Sequence, residues 1–438
     1  MGKEDILSTL FVGIDVSSRT NTVYAMDFYS KKHLQFTVRN NQAGACELVD
    51  KLYRCLSGGN SNGGCGAGGN SDSRFTRVII ALEATSIYSA HIACFLSCAK
   101  ELLAYRAEVY CLNPKMTANY KKSFIDIGKT DAADAFAIAD FARVGRIKTK
   151  PWRGSQFLAL QRLTRHRLHL AKQIAREKTY MLTNIFLKFS EMTVGDDRPF
   201  SDTFGATAEA VLREFLSVDD IVSASPQELI DFVGSKGHNR FVDPERTAKL
   251  LRQAAKNSYR LDKCLYEPLT ISIASSFNCV SAFEKEIKTI DKAIINAIKG
   301  FNPLEYQCLT SIPGIGHVYA AGILSEIGTI ANFKNEGALA KYAGIVWNRA
   351  QSGEFEADNI NMSKAGNSYL RYYLIEAANS VRRHTPEFAD FYSKKFAEAT
   401  THNHTRAISL TARKLIRLIF GLLVKNQLYS PQVAGGTT

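Results

Sequence analysis

Four acidic residues in the first third of the chain sit where carboxylates are expensive unless they do chemistry. Asp15 interrupts the apolar run Phe11-Val12-Gly13-Ile14-Asp15-Val16. An ionised carboxylate in that setting must be paired or bound to a metal. Glu83 closes the run Val78-Ile79-Ile80-Ala81-Leu82, at the end of a strand where α/β sheets place their chemistry. Asp131 and Asp134 open an Ala-rich stretch (129–137) at i, i+3 spacing, so both project from one helix face. Carboxylates from two strands and one helix can share two hard cations about 3.5–4 Å apart, the arrangement used for in-line phosphoryl transfer. Singly, each has a plainer reading. Asp131 and Asp134 could complement a helix dipole, and Glu83 could belong to a helix N-cap. Their joint occurrence carries the weight.

The elements that must hold these acids follow from periodicity. Residues 11–38 alternate with β-branched positions and predict three strands of an antiparallel meander. A helix is expected over 42–56, an apolar strand at 78–82, a helix over about 87–103 and a strand at 108–112. That order is an α/β layout with a mixed sheet. Residues 58–73, with seven Gly in sixteen positions, predict a flexible loop. Residues 155–300 carry long helical periodicity, and near-heptad spacing from Phe283 to Ile298 predicts a helical hairpin or short coiled coil. The stretch 196–245 has no regular pattern. Gly13-Ile14-Asp15 also suits the phosphate loop of an actin-like ATPase, but the Asp-Gly and Gly-Gly turns that fold needs further on are missing.

Composition narrows the function. The 438 residues suggest about two to four domains, and 45 % apolar with 22 % charged residues is a globular balance. The net charge of +13 points to a polyanionic partner, nucleic acid before membrane surface. Residues 141–180 hold eleven Lys or Arg against one acid, Glu177. A merely solvated helix would mix signs, so Arg162, Arg165, Arg167, Lys172 and Arg176 are read as phosphate contacts. Trp152 and Tyr180 could stack on exposed bases or lie in a core. No signal peptide or membrane-spanning run is visible. The nine Cys are scattered, with only Cys94 and Cys98 close, at helix-face spacing, which points to free thiols in a reducing cytoplasm.

Further on, Pro313-Gly314-Ile315-Gly316 breaks the chain between two helices. It suits either a helix-hairpin-helix, whose Gly314 and Gly316 amides approach a phosphate, or a plain turn. Ser352 precedes Gly353 in a polar loop with no His beside it, so Arg349, a metal or a partner domain would have to activate it. Ser363 competes with it. It reads as the N-cap of a helix on which Lys364 and Arg371 hold phosphate.

These residues together resemble the insertion-sequence 110 family of DEDD transposases. The likeness rests on Gly13-Ile14-Asp15, Leu82-Glu83-Ala84-Thr85-Ser86-Ile87-Tyr88, Asn113-Pro114-Lys115 and Lys129 to Ala135 in the first 150 residues. In 305–425 it rests on Ser311 to Gly316, Phe333, Tyr342-Ala343-Gly344, Gln351-Ser352-Gly353 and Ser363 to Arg371. The sequence departs from the family at Trp347, where Pro is common, and at Glu354, Glu356 and Asp358, where bases are common.

The resemblance implies an RNase H-like (RuvC-like) α/β domain over 1–150. It further implies a helical or coiled-coil region over 151–304, an all-α serine transposase domain over 305–425 and a tail over 426–438. It implies a site-specific DNA recombinase in which Asp15, Glu83, Asp131 and Asp134 bind Mg²⁺, with Mn²⁺ as its substitute. Ser352 would be the nucleophile that forms a transient phosphoserine link to DNA. A structured noncoding RNA would guide element ends to target DNA. Dimers to tetramers would set the DEDD domain of one protomer against the serine domain of another, in the cytoplasm at the nucleoid. The alternative is a metal-dependent nuclease or junction resolvase that needs no covalent serine step.

Overall fold

The structure is a computed structural model that describes residues 3–58, 75–84, 87–124, 128, 130–147, 149–194, 197–300, 303–347, 351–352, 355–356 and 362–431. Contacts divide the chain into two compact units, residues 1–159 with 327–335, and residues 160–326 with 336–438.

The first unit opens with the short helix α1 (Lys3–Leu7), followed by β1 (Thr9–Val16), β2 (Thr20–Met26) and β3 (Lys32–Arg39). The expected meander is present, with β1 antiparallel to β2 and β2 antiparallel to β3. Then come α2 (Gln42–Leu56), β4 (Arg77–Glu83), α3 (Tyr88–Cys98), α4 (Lys100–Leu103), β5 (Glu108–Leu112), α5 (Pro114–Lys121) and α6 (Asp131–Arg143). The single helix expected over about 87–103 is two, because Ala99 leaves helical backbone at ψ 115°. The sheet order is β3-β2-β1-β4-β5, with β4 parallel to both β1 and β5. The Gly-rich loop expectation falls, beyond Gly58, outside the described residues.

Strand alternation sorts the side chains onto two faces. Leu10, Val12, Ile14 and Val16 of β1, with Val78, Ile80 and Leu82 of β4, build one core against α2 and α3. Phe11 of β1, with Ile79 and Ala81 of β4, builds the other against α6. Asp15 and Glu83 have the parity of this second set, so they belong to the α6 side. α6 can press onto that face because Ala135 and Ala139, which meet Gly13, are small enough for close approach. Trp152 packs against the first core and its amide donates to the Val109 carbonyl at 2.7 Å, so of its two readings the structure gives the core one.

Among the described residues, the second unit is helical apart from one short ladder and an isolated bridge. α7 (Ser155–Lys188) begins in the first unit and continues into the second. It is followed by α8 (Ala206–Glu214), α9 (Val218–Ser223), α10 (Pro226–Lys236), α11 (Pro244–Asn257) and α12 (Lys263–Lys299). α7 and α12 run antiparallel, since Arg167 pairs with Asp291, Glu177 accepts from Ser276 and Lys188 donates to Thr270. α8 to α11 fill the 196–262 stretch, and their own core includes Val211, Leu212, Val233 and Leu251 with Ile185 and Ile273 of the long pair. Capping boxes at Ser217/Asp220 and Ser225/Glu228 start α9 and α10.

The rest comprises α13 (Pro303–Thr310), α14 (His317–Ile327), α15 (Glu336–Ala343), the two-residue strands β6 (Gln351–Ser352) and β7 (Phe355–Glu356), α16 (Ser368–His384), α17 (Pro386–Ala397) and α18 (Asn403–Lys425). Among the described residues no helix is long and apolar enough to cross a membrane, and the described cysteines are all free thiols.

Candidate functional site

The acidic site forms at the C-terminal ends of β1 and β4. Ile14 pairs with Leu82, and Asp15 and Glu83 are the next residue on each of these neighbouring strands. Gly13 lets α6 close down on the same face: a methyl group there would lie 2.1 Å from the Ala135 carbonyl oxygen. Asp131, one turn before Ala135, and Asp134, the residue before it, stand at the helix start, which Thr130 caps by accepting from the Ala133 amide. The four acids act on one another. The Asp15 carboxyl, ordinarily near 3.8, is pushed up to about 6, first by burial and then by the charges of Asp134, Asp131 and Glu83, while Lys121 opposes.

Two further residues complete the site. Both lie on α5, one turn apart, and sequence reading passed over both. Thr117 donates its hydroxyl to Glu83 Oε2 at 2.7 Å. The Lys121 ammonium lies 2.8 Å from Asp134 Oδ1 and 3.9 Å from Glu83 Oε2. The only sequence signal was the i, i+4 spacing of a hydroxyl and a base after Asn113-Pro114, which caps and starts α5.

The residues suit a divalent cation in kind. They offer hard oxygen donors and a lysine cation already seated between two of them. They are not closed around one point. Among the described residues no three His, Cys, Asp or Glu side chains are placed to hold a single ion.

Of the basic residues of α7, two groups emerge. Arg165 and Arg167 turn inward. Arg165 forms a two-pronged pair with Glu326 at 2.8 and 2.9 Å, and Arg167 pairs with Asp291 at 2.6 Å. Both guanidiniums are thus engaged by carboxylates, with Arg165 32 % and Arg167 19 % exposed. Arg162, Lys172 and Arg176 are exposed, on the face that also carries His166 and His169 with rings stacked at 6.0 Å. No ion pair engages these three among the described residues.

Ser352 lies on a short arm. Trp347 bridges Met362, the Ser363 amide donates to the Val346 carbonyl, and Ser352 pairs with Phe355. Its side chain, like Arg349, is outside the described residues.

The neck of this arm is pinned. Gly344 and Gly366 meet back to back: a methyl on Gly366 would come 2.6 Å from the Gly344 nitrogen. Arg371 Nη1 donates to the carbonyls of Ala343 and Lys364, so this guanidinium ties the neck together. The N-cap of α16 is Asn367, not Ser363, with Asn367 Oδ1 accepting from the Tyr369 and Leu370 amides. Lys364 is exposed, in left-handed backbone at φ 50°. Gly314 sits 2.8 Å from Val381 once a methyl is built on it, so its small size serves helix packing, whereas Gly316 faces open space.

The chain matches the DEDD transposase family of IS110 elements, described as "Transposase", over residues 12–187, and the "Transposase IS116/IS110/IS902 family" over residues 306–393. It is 22 % identical over 325 residues to the uncharacterized 44.8 kDa protein of insertion element IS116 from Streptomyces clavuligerus, spanning 72 % of this chain and 75 % of that protein. It is 22 % identical to the uncharacterized 42 kDa protein of IS900 from Mycobacterium paratuberculosis, over 96 % of this chain and 97 % of that one. It is 28 % identical over 39 % of its length to the transposase for insertion sequence element IS1111A of Coxiella burnetii, covering 43 % of that protein. The mixed sheet fits the RNase H-like fold of a DEDD domain, and such a domain points to divalent-metal use. With both family segments in order along one chain, this protein belongs to the IS110 family of transposases, enzymes that cleave and transfer DNA.

Proposed function

We propose that this transposase cuts and rejoins DNA with Ser352 as nucleophile and Asp15, Glu83, Asp131 and Asp134 as ligands of Mg²⁺ or Mn²⁺. The observation that carries the metal part of the reading is that Asp15 and Glu83 end neighbouring strands while Asp131 and Asp134 open α6 on the same face, near enough for their charges, after burial, to help push the Asp15 carboxyl up to about 6. A bound divalent cation would polarise a phosphoryl oxygen and offset charge as it develops in the transition state.

The chain's own residues do the rest. Thr117 fixes the Glu83 carboxylate by hydrogen bond. Arg162, Lys172 and Arg176, all exposed on α7, hold DNA phosphates, and Gly316 leaves its turn open to backbone approach. Ser352 Oγ gives up its proton and forms a bond to phosphorus as the bond from phosphorus to a deoxyribose oxygen breaks. That oxygen takes up a proton, and the reverse exchange rejoins a strand. The net charge of +13 supports nucleic-acid partners, a noncoding guide RNA among them, and we propose a homo-oligomer of two to four chains.

The test is Ser352→Ala with the acids intact. No covalent protein–DNA adduct should form and strand exchange should stop. Cleavage that survives Ser352→Ala but is lost in Asp15→Ala would instead establish a nuclease or junction resolvase working without a covalent step.

A further inference from the structure

We infer that Lys121 is a built-in counter-ion of the acidic site, which gives way to a divalent cation when one binds and so sets the affinity for it. The inference rests on the metal-binding reading above. The position of the ammonium argues for it: 2.8 Å from Asp134 and 3.9 Å from Glu83, it touches carboxylates of both the helix and the strand. All three side chains are at least two-thirds buried, with 24 % of Lys121, 32 % of Asp134 and 17 % of Glu83 exposed, so solvent screens the pair only in part.

The geometry also accounts for the absence, among the described residues, of any three ligands around one point. The lysine draws Asp134 and Glu83 toward itself, and Thr117 holds Glu83 from the same helix. A dication and an ammonium cannot share those oxygens without strong repulsion. Metal entry therefore requires Lys121 to leave. It ends α5, with Lys122 as the cap residue beyond it, and its flexible four-carbon stem allows the ammonium to swing outward to water.

Thr117 and Lys121 thus have opposite effects. The threonine orients a ligand and stays in place, whereas the lysine balances charge until a stronger cation replaces it. Removing the ammonium should leave four mutually repelling carboxylates that bind a dication more tightly.

The experiment compares wild type with Lys121→Met, which keeps most of the stem and loses the charge, and Lys121→Arg, which keeps the charge. Mn²⁺ affinity is read by electron paramagnetic resonance, and melting temperature is read in chelator and in Mg²⁺. Lys121→Met should melt lower in chelator, gain more from Mg²⁺ than wild type does, and bind Mn²⁺ tighter by roughly tenfold, the effect of one neighbouring charge. Lys121→Arg should bind as wild type. Folded Lys121→Met with unchanged or weaker Mn²⁺ affinity overturns the inference and leaves the metal reading standing. If neither protein binds Mn²⁺, the metal reading fails and this inference with it. If Lys121→Met folds only with Mn²⁺ present, the inference is supported, and if it fails to fold either way, Lys121 is structural and the inference is overturned.

Discussion

Gly13 of β1 and Ala139 of α6 are in backbone contact: a methyl built on Gly13 would lie 2.4 Å from the Ala139 nitrogen and 2.1 Å from the carbonyl of Ala135. That contact fixes how far α6 closes onto the sheet, and hence where Asp131 and Asp134 stand relative to Asp15. Gly13→Ala should push α6 outward. Overpacking of this kind costs about 1–3 kcal/mol, and calorimetry should show divalent-ion binding weakened by more than the loss of stability explains.

Asp15 gives a pH signature. Its folded-state pKa is raised, so the folded protein holds this proton more tightly than the unfolded chain does. The contribution of the group to metal-free stability is therefore full below about pH 4, is lost as pH rises through about 6, and is flat above. Metal requires the ionised form. Mg²⁺ affinity should rise by about tenfold per pH unit up to about 6 and then level off, and Asp15→Asn should abolish that slope in titrations at several pH values.

Glu326 anchors the neck of the serine arm. It is 2 % exposed and accepts from Arg165 and, at 2.7 Å, from Asn367, the cap of α16. Glu326→Ala strands the Arg165 guanidinium, which also lies over the Tyr369 ring, and should cost about 3 kcal/mol in urea unfolding. Glu326→Leu combined with Arg165→Met should recover most of that loss, because no unpaired charge remains.

Lys188, 3 % exposed, donates to the Leu212 carbonyl and to Thr270 Oγ1, both at 2.7 Å. Burial lowers its pKa to about 8, with Asp220 opposing. A lowered folded pKa means that its contribution is full above about pH 10.5 and is lost as pH falls through about 8. Wild type should therefore gain stability between about pH 8 and 10 in thermal unfolding, and Lys188→Met should not.

The acidic site was largely legible in the sequence because strand parity is a strict code. Asp15 and Glu83 break apolar alternation at the same phase on neighbouring strands, and Asp131 and Asp134 share a helix face. Lys121 was not legible, since a Lys-Lys pair ending a short polar helix looks like any solvated surface. The basic run of α7 was read as uniform, yet helical periodicity turns Arg165 and Arg167 inward onto Glu326 and Asp291, partners more than a hundred residues away. Ser363 reads as a cap in the sequence because it has a capping side chain. The true cap, Asn367, is displaced by four residues because Gly344 and Gly366 must cross before the helix can begin. In 196–245 the helices α8, α9 and α10 have only 9, 6 and 11 residues, so apolar periodicity hardly repeats, although the Ser-x-x-acid pairs at Ser217 and Ser225 mark two of their starts.

The antiparallel run of α7 and α12 means that residues 189–262 leave and rejoin the rest of the molecule at one place, where Lys188 and Thr270 touch. A module whose two ends meet at one doorway can be lengthened or exchanged without re-threading anything else, provided the replacement also covers Ile185 and Ile273, on which its core packs. Natural variation in size among such proteins has an obvious place to accumulate there, and an engineer has an obvious place to graft cargo.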